Sequence, residues 1–454
     1  MRKAAFRNPV QVSIDSFGPD GTGSGVDAKD KRWSVRGAAP GSTVAVGGKP
    51  KSGILLDVLS PAEDAVAPRC AQFGVCGGCQ WQHMPLERQR VEKQAALARL
   101  LGPLGGVDHG LVGAEGYGYR NKVELSYGRL RYMAKTELDT GITREGRFLG
   151  MHAPGRFDKV VDAPRCEIMS DAMNTVLAKV RADTIDTPWA LWDPVAHTGF
   201  WRHLGLREGR NGVLVMLFTT SGDDDHAAWL AAHAPAWGAA GVLWYETDAK
   251  ADAAIGTLRA VLCGQDHVVE RLGGLTYRLS PTAFFQVNPV GAEQLCATVA
   301  EAAGSGSTLV DLYCGTGALG LACAKSFDRV VGIDANEASI ADARANAAAN
   351  GVEATFLAGE VEKQVAELQA QLRSEGTQPV VIIDPPRVGL HPAALAFVAG
   401  LDAKALVYVA CKPTSLLRDG LALIDAGWRC TDRWAVDLFP QTGHVEVVSR
   451  WERA

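Results

Sequence analysis

The sequence predicts an α/β protein built in three parts: a small N-terminal β-barrel, a central α+β region and a C-terminal doubly wound parallel sheet. Three observations carry this. Residues 9–59 alternate short β-rich runs (PVQVSI, STVAV, ILLDVL) with Gly/Asp turns such as GPDGTGSG. From about residue 117 to 270, strand-like pieces (VELSY, GVLVMLF, GVLWY) mix with helical ones. From 271 onward apolar strands and helices alternate regularly: STLVDLYCGTG into ALGLACAK, then RVVGIDA, an alanine-rich helix, PVVIIDPPR, ALVYVACK and the late strand VEVVSRW. The expected boundaries are 1–59, 60–270 and 271–454.

A chain of 454 residues, 47% hydrophobic and 21% charged, is long enough for two or three domains at roughly 150 residues each. The first fifteen residues, MRKAAFRNPVQVSID, lack the apolar core of a signal peptide. No apolar run approaches the ~18 residues of a membrane span, so a cytoplasmic protein without a membrane partner is expected. Net charge is -5, unevenly spread: residues 1–130 hold 17 Lys/Arg against 12 Asp/Glu, which leaves -10 for the rest. That asymmetry permits a nucleic-acid face at the N-terminal end, and small barrels often bind nucleic acid. By itself, though, an ordinary solvated surface explains it as well.

Pro61 and Pro68 lead into Cys70, Cys76 and Cys79, a spacing that in a cytoplasmic protein points to a metal or cluster site rather than disulfides. Residues 85–101 (PLERQRVEKQAALARLL) then read as a helix after a proline start.

The segment Leu309–Gly317 is an apolar strand ending in a glycine turn (Gly315, Gly317) that opens a helix. Such a turn lets backbone N–H groups approach a nucleotide-like ligand. Asp334, at the end of RVVGID, suits an acid holding both ribose hydroxyls. Gly320 completes Gly-x-Gly-x-x-Gly, so spacing alone leaves a dinucleotide open. Asp384 decides: D-P-P after a buried strand fits a methyltransferase, the carboxylate and rigid turn lying beside the transferring methyl.

Cys411 follows the strand ALVYVA directly, at the carboxyl end where such sheets carry their chemistry. A lone strand-end cysteine is usually a small buried side chain. The neighbouring Lys412 and a proline turn would favour thiolate. A thiolate has a use here: carbon 5 of uracil is too weak a nucleophile to take a sulfonium methyl until a thiolate adds to carbon 6. A base must afterwards remove the carbon 5 proton, and Glu446 is the candidate. Taken alone, a glutamate this near the C-terminus reads as a surface charge.

These residues resemble the RNA uridine 5-methyltransferase family, in particular its iron-sulfur branch acting on 23S ribosomal RNA. The likeness covers nearly the whole chain. The N-terminal stretch resembles a TRAM domain, an OB-like RNA-binding barrel; PRCAQFGVCGGCQWQH resembles the cluster segment; SPTAFFQVNP resembles the cofactor and substrate loop; VACKPTSLLRD and FPQTGHVE resemble the catalytic segments. The resemblance implies a Rossmann-like methyltransferase domain in which Gln286, Tyr313, Asp334 and Asp384 contact S-adenosylmethionine. It makes Cys411 the nucleophile and Glu446 the base, and has Cys70, Cys76, Cys79 and Cys166 ligate a [4Fe-4S] cluster. Four cysteines would also suit zinc. The C-x5-C-x2-C spacing does not fit the C-x3-C-x2-C of radical enzymes. The substrate implied is structured RNA, ribosomal before transfer RNA, and the enzyme a monomer.

Asp334 stands where many members have Glu, Ala318 where many have Asn, and Lys412 where many have Asn. An amino-group methyltransferase, since D-P-P also positions exocyclic nitrogens, and a non-catalytic RNA-binding protein are the alternatives. Trp81, Gln82 and His83 read as RNA contacts or as packing around a metal. Tyr119, Arg120, Asn121 and Lys122 read as phosphate contacts or a strand edge. Phe284 and Phe285 read as a stacking pair of which one is core.

Overall fold

The computed structural model describes residues 9–133 and 143–454. Residues 1–8, included above in the barrel unit, lie outside the described residues. Five strands, β1 (Val10–Phe17), β2 (Gly23–Asp27), β3 (Arg32–Val35), β4 (Thr43–Lys49) and β5 (Ser52–Ser60), close into a barrel in the order β1-β2-β3-β5-β4. Period-two alternation builds it: Val12, Ile14, Val35, Val44 and Val46 fill the interior, each at most 3% exposed.

Pro85 caps α1 (Leu86–Leu101), as its composition predicts. The buried stripe of α1 runs Gln89, Lys93, Leu97, Leu101, one residue per turn, so two of its four members are polar. The chain then forms β6 (Val107–Gly113) before entering a seven-stranded sheet of β7 (Lys122–Leu130), β8 (Glu145–Ala153), β9 (Arg156–Asp162), β10 (Trp201–Gly209), β11 (Gly212–Thr219), β12 (Gly241–Glu246) and β13 (Thr257–Gly264). Their order is β13-β12-β11-β10-β7-β8-β9. Helices α2 (Asp171–Ile185) and α3 (Asp224–His233) supply Met173, Val176, Leu177, Val180 and Leu230 to its core.

A hairpin, β14 (Val268–Leu272) and β15 (Leu275–Leu279), leads into α4 (Pro289–Ala303) and the second sheet. Its elements are β16 (Gly306–Leu312), α5 (Ala318–Cys323), β17 (Phe327–Asp334), α6 (Glu337–Ala349), β18 (Ala354–Ala358), α7 (Val361–Ser374), β19 (Val380–Ile383), α8 (Pro392–Ala399), β20 (Ala405–Ala410), α9 (Pro413–Asp425), β21 (Trp428–Asp437) and β22 (Glu446–Arg453). The order is β18-β17-β16-β19-β20-β22-β21-β6, parallel from β18 through β20, with β22 inserted antiparallel between β20 and β21. Helices α4, α5 and α6 cover one face and α1, α7, α8 and α9 the other. Strands so enclosed read as continuous apolar runs, which is why every residue of β19 and β20 is buried.

One segment departs from the expected division. Residues 107–113, placed by sequence in the central unit, pair parallel with β21 as the far edge of the second sheet. With exposed Val107 and Val112, this edge strand shows no clean alternation to announce it.

The barrel is docked rather than tethered. Trp81 Nε1–H donates to Gly21 O at 2.9 Å, and the Phe17 and Trp81 rings lie 4.3 Å apart. Gly21, at φ 75°, approaches Gly443 so closely that a Cβ on it would sit 2.6 Å from the Gly443 Cα. Only glycine serves at that crossing.

Candidate active site

Five neighbouring strands bring the sequence-selected residues to one edge. In spatial order these are Asp334 at the end of β17, Tyr313 through Gly317 after β16, Asp384 after β19, Cys411 after β20 and Glu446 at the start of β22. Because β22 runs antiparallel, its first residue lies beside the last of β20: Val447 pairs with Ala410, and Glu446 and Cys411 come next in the register. At about 4.8 Å per strand the row spans about 19 Å. The chain order reverses between β16 and β19, the switch point where such sheets open a ligand crevice.

The β16 turn is conformationally demanding. Tyr313, Gly315 and Gly317 have φ of 63°, 53° and 81°. For a tyrosine that is a strained conformation of the sort functional sites retain. Asp334 fastens the turn, its Oδ2 accepting the Gly315 N–H at 2.9 Å and its Oδ1 the Asn336 N–H at 2.8 Å. Each oxygen keeps lone-pair capacity for a hydroxyl. The third glycine serves packing: a Cβ on Gly320 would sit 2.9 Å from Asp311 Oδ2, which accepts the Gly320 N–H at 2.8 Å. Asp311 itself, an acid inside an apolar strand, is fully buried, and desolvation pushes its pKa up to about 8. Gln286 is half-buried in the loop before α4, and its side-chain amide makes no hydrogen bond among the described residues.

Burial also raises the acids nearer Cys411. Desolvation lifts Asp384 to about 7. Glu446, 3% exposed, is lifted to about 8, first by desolvation and then by Asp384, with Arg387 opposing. Glu446 is therefore no surface charge: β22 inserts between two strands and carries its first residue inside. Desolvation makes the Glu446 carboxylate a stronger base than an exposed one, the property a proton-abstracting group needs.

The expectation for Cys411 needs correction. Its thiol pKa is raised, by desolvation first and then by Glu446 and Asp384. Lys412 is exposed at the N-cap of α9, and the cation that hydrogen-bonds and lowers the thiol is Arg387. Arg387 closes the I-I-D-P-P-R strand end one strand away from the cysteine, a neighbourhood that nothing local in the sequence announces. His444, in the loop before Glu446, is held down to about 4, by desolvation first and then by Arg387, Lys93 and the barrel's Arg36, so it is neutral at pH 7.

Away from this edge, Cys70, Cys76, Cys79 and Cys166 line one cavity of about 140 Å³. Their backbones are held from outside: Cys70 N–H donates to Gln82 Oε1, and Asn174 bonds both the N–H and the carbonyl of Cys166. Among the described residues no group of three or more His, Cys, Asp or Glu is arranged to hold a single metal ion. Trp81 and Gln82, 2% exposed each, are packing residues, and so are Tyr119 and Asn121 at 8% and 7%. Phe285 belongs to the core while Phe284 is 69% exposed. Among the described residues no helix is long and apolar enough to cross a membrane.

Comparison with known proteins agrees with this geometry. Residues 257–452 match the family model described as tRNA (uracil-5-)-methyltransferase. An uncharacterised RNA methyltransferase of Chlorobaculum tepidum is 34% identical over 88% of this chain and 86% of its own length. Another, from Caldanaerobacter subterraneus, is 34% identical over 98% and 99%. Among solved structures, the Pyrococcus abyssi tRNA (uracil-54, C5)-methyltransferase in complex with S-adenosyl-L-homocysteine superposes with a TM-score of 0.75 at 25% identity, covering 97% of this chain and all of that one. These matches set aside the amino-group and non-catalytic alternatives: the chain belongs to the S-adenosylmethionine-dependent RNA (uracil-5-)-methyltransferase family.

Proposed function

We propose that the protein methylates carbon 5 of one uridine in 23S ribosomal RNA through a covalent adduct with Cys411. The Cys411 thiolate, favoured by Arg387, adds to carbon 6 and turns the ring into an enolate; carbon 5 attacks the sulfonium methyl and S-adenosylhomocysteine leaves. Glu446 takes the carbon 5 proton, the carbon–sulfur bond breaks, and the thiolate returns. Asp334 holds the ribose, Tyr313, Gly315 and Gly317 line the cofactor, and Gln286 and Asp384 face its methyl end. The observation that supports this most is the adjacency of Cys411 and Glu446 across β20 and β22, one strand from Asp384. The barrel supplies an RNA-binding face, and the enzyme acts as a monomer. Transfer RNA is the second reading, favoured by the substrate of the P. abyssi enzyme. Mapping 5-methyluridine across ribosomal and transfer RNA in cells with and without the gene decides: one ribosomal uridine loses its methyl under the first reading, a transfer RNA uridine under the second, and an unchanged map contradicts both.

The same reading gives Cys70, Cys76, Cys79 and Cys166 to a [4Fe-4S] cluster. Four thiols around one cavity suit it as a donor set. When bound, the cluster would tie the segment after the barrel to the loop before α2. Anaerobically purified protein is expected to carry about four irons per chain and to lose them when any one of the four cysteines is replaced. Stoichiometric zinc without iron would contradict this.

A further inference from the structure

A polar residue in the buried stripe of a helix must have its groups bonded to be tolerated. Gln89 of α1 is fully buried. Its Nε2 lies 2.9 Å from Gln441 Oε1, 3.0 Å from Met84 O and 3.1 Å from Trp81 O, and its Oε1 accepts the Gln441 N–H at 2.8 Å. Gln441, 3% exposed, sits at φ 68°, a conformation an L side chain rarely keeps without outside support. Its carbonyl accepts the N–H groups of Gln80 and Trp81 at 2.9 and 3.0 Å.

The residues before it are held likewise. The carbonyls of Leu438, Phe439 and Pro440 accept from Asn288 Nδ2, Lys93 Nζ and Tyr119 OH at 3.0, 3.1 and 2.9 Å. Four consecutive carbonyls ahead of Glu446 are thus bonded by groups outside the strands of its own sheet, mostly from residues 80–119. The loop's path, and with it the entry of Glu446 into the site, is set by α1 and the segment that follows Cys79.

We propose that Gln89 is a positioning residue: by pairing both ends of its amide with Gln441, it holds the loop that aims Glu446. The proposal rests on the reading of Glu446 as the base. Cys411 and Asp384 are carried by β20 and β19 rather than by this loop, so loss of the clamp slows release of the methylated product more than methyl transfer. In Gln89→Met, multiple-turnover kcat is expected to fall about tenfold, while single-turnover methyl transfer and S-adenosylhomocysteine affinity stay within about twofold and adduct accumulates on Cys411. Gln441→Met removes the same side-chain pair from the loop side and should give the same split, and it carries the test where Gln89→Met does not fold. The double variant should be no worse than Gln89→Met alone, which already removes both bonds to Gln441. Unchanged turnover, or a fall in transfer and turnover together, overturns the proposal. Glu446→Gln run in parallel separates the two claims: if it traps adduct and the Gln89 and Gln441 variants do not, only the clamp fails; if it turns over normally, the base assignment fails.

Discussion

Replacing Cys411 by alanine is expected to lower methyl transfer by about 10⁴-fold or more, while S-adenosylhomocysteine binding stays within about twofold. Without a thiol to add to carbon 6, carbon 5 never becomes nucleophilic, and the other cysteine at this edge, Cys314 after β16, is buried two strands away with its thiol pushed up by desolvation. Cofactor binding is spared because the glycine turn and Asp334 lie two and three strands away. Cys411 is half-buried against Arg387, Asp384 and Glu446, so the alanine removes a reactive group more than it opens a cavity. Equilibrium binding alongside a methyl-transfer assay reads both quantities. A Cys411→Ala enzyme that still methylates uridine would place the chemistry elsewhere.

The largest effect on stability is expected at Lys93. Its Nζ lies 2.5 Å from Asp437 Oδ1, with the two side chains 1% and 0% exposed. Burial pushes the lysine below its usual range, and Asp437 opposes that shift. Breaking such a pair from one side leaves a buried charge alone, at a cost of about 3–5 kcal/mol. Arg90, whose Nε is 3.9 Å from Asp437 Oδ2, is too far to replace a direct bond. Lys93→Met should therefore shift the urea midpoint strongly, and Lys93→Met with Asp437→Leu should recover most of the loss, because removing both charges leaves neither unpaired. A single variant as stable as the parent would show that the pair contributes little.

The elements that sequence reading located are those whose signal is local. Alternation marks the barrel strands, apolar runs ending in Gly-x-Gly, Asp and D-P-P mark three strand ends of the second sheet, and a proline start marks α1. What it could not show depends on non-local pairing. Nothing in VDHGLVG says that β6 joins β21, more than 300 residues later. Glu446 reads as surface because its burial follows from β22 slipping between β20 and β21, an order that does not follow the chain. Lys412 stands out as the thiol's cation because it is adjacent in sequence, whereas Arg387 reaches the thiol from the neighbouring strand end. Gln89 and Lys93 look like gaps in an apolar stripe until Gln441 and Asp437, some 350 and 340 positions away, are seen to occupy them.

The proposed reaction passes through a covalent intermediate between Cys411 and carbon 6 of uridine, resolved by Glu446. Its most direct test uses Glu446→Gln, incubated with unmodified RNA and labelled S-adenosylmethionine, digested with protease and nuclease, and examined by mass spectrometry at the Cys411 peptide. The thiolate can still add and the methyl can still transfer, but the carbon 5 proton has no base to take it. The expected product is a Cys411 peptide carrying a methylated uridine nucleotide. An unmodified Cys411 peptide alongside normal release of 5-methyluridine RNA would contradict it.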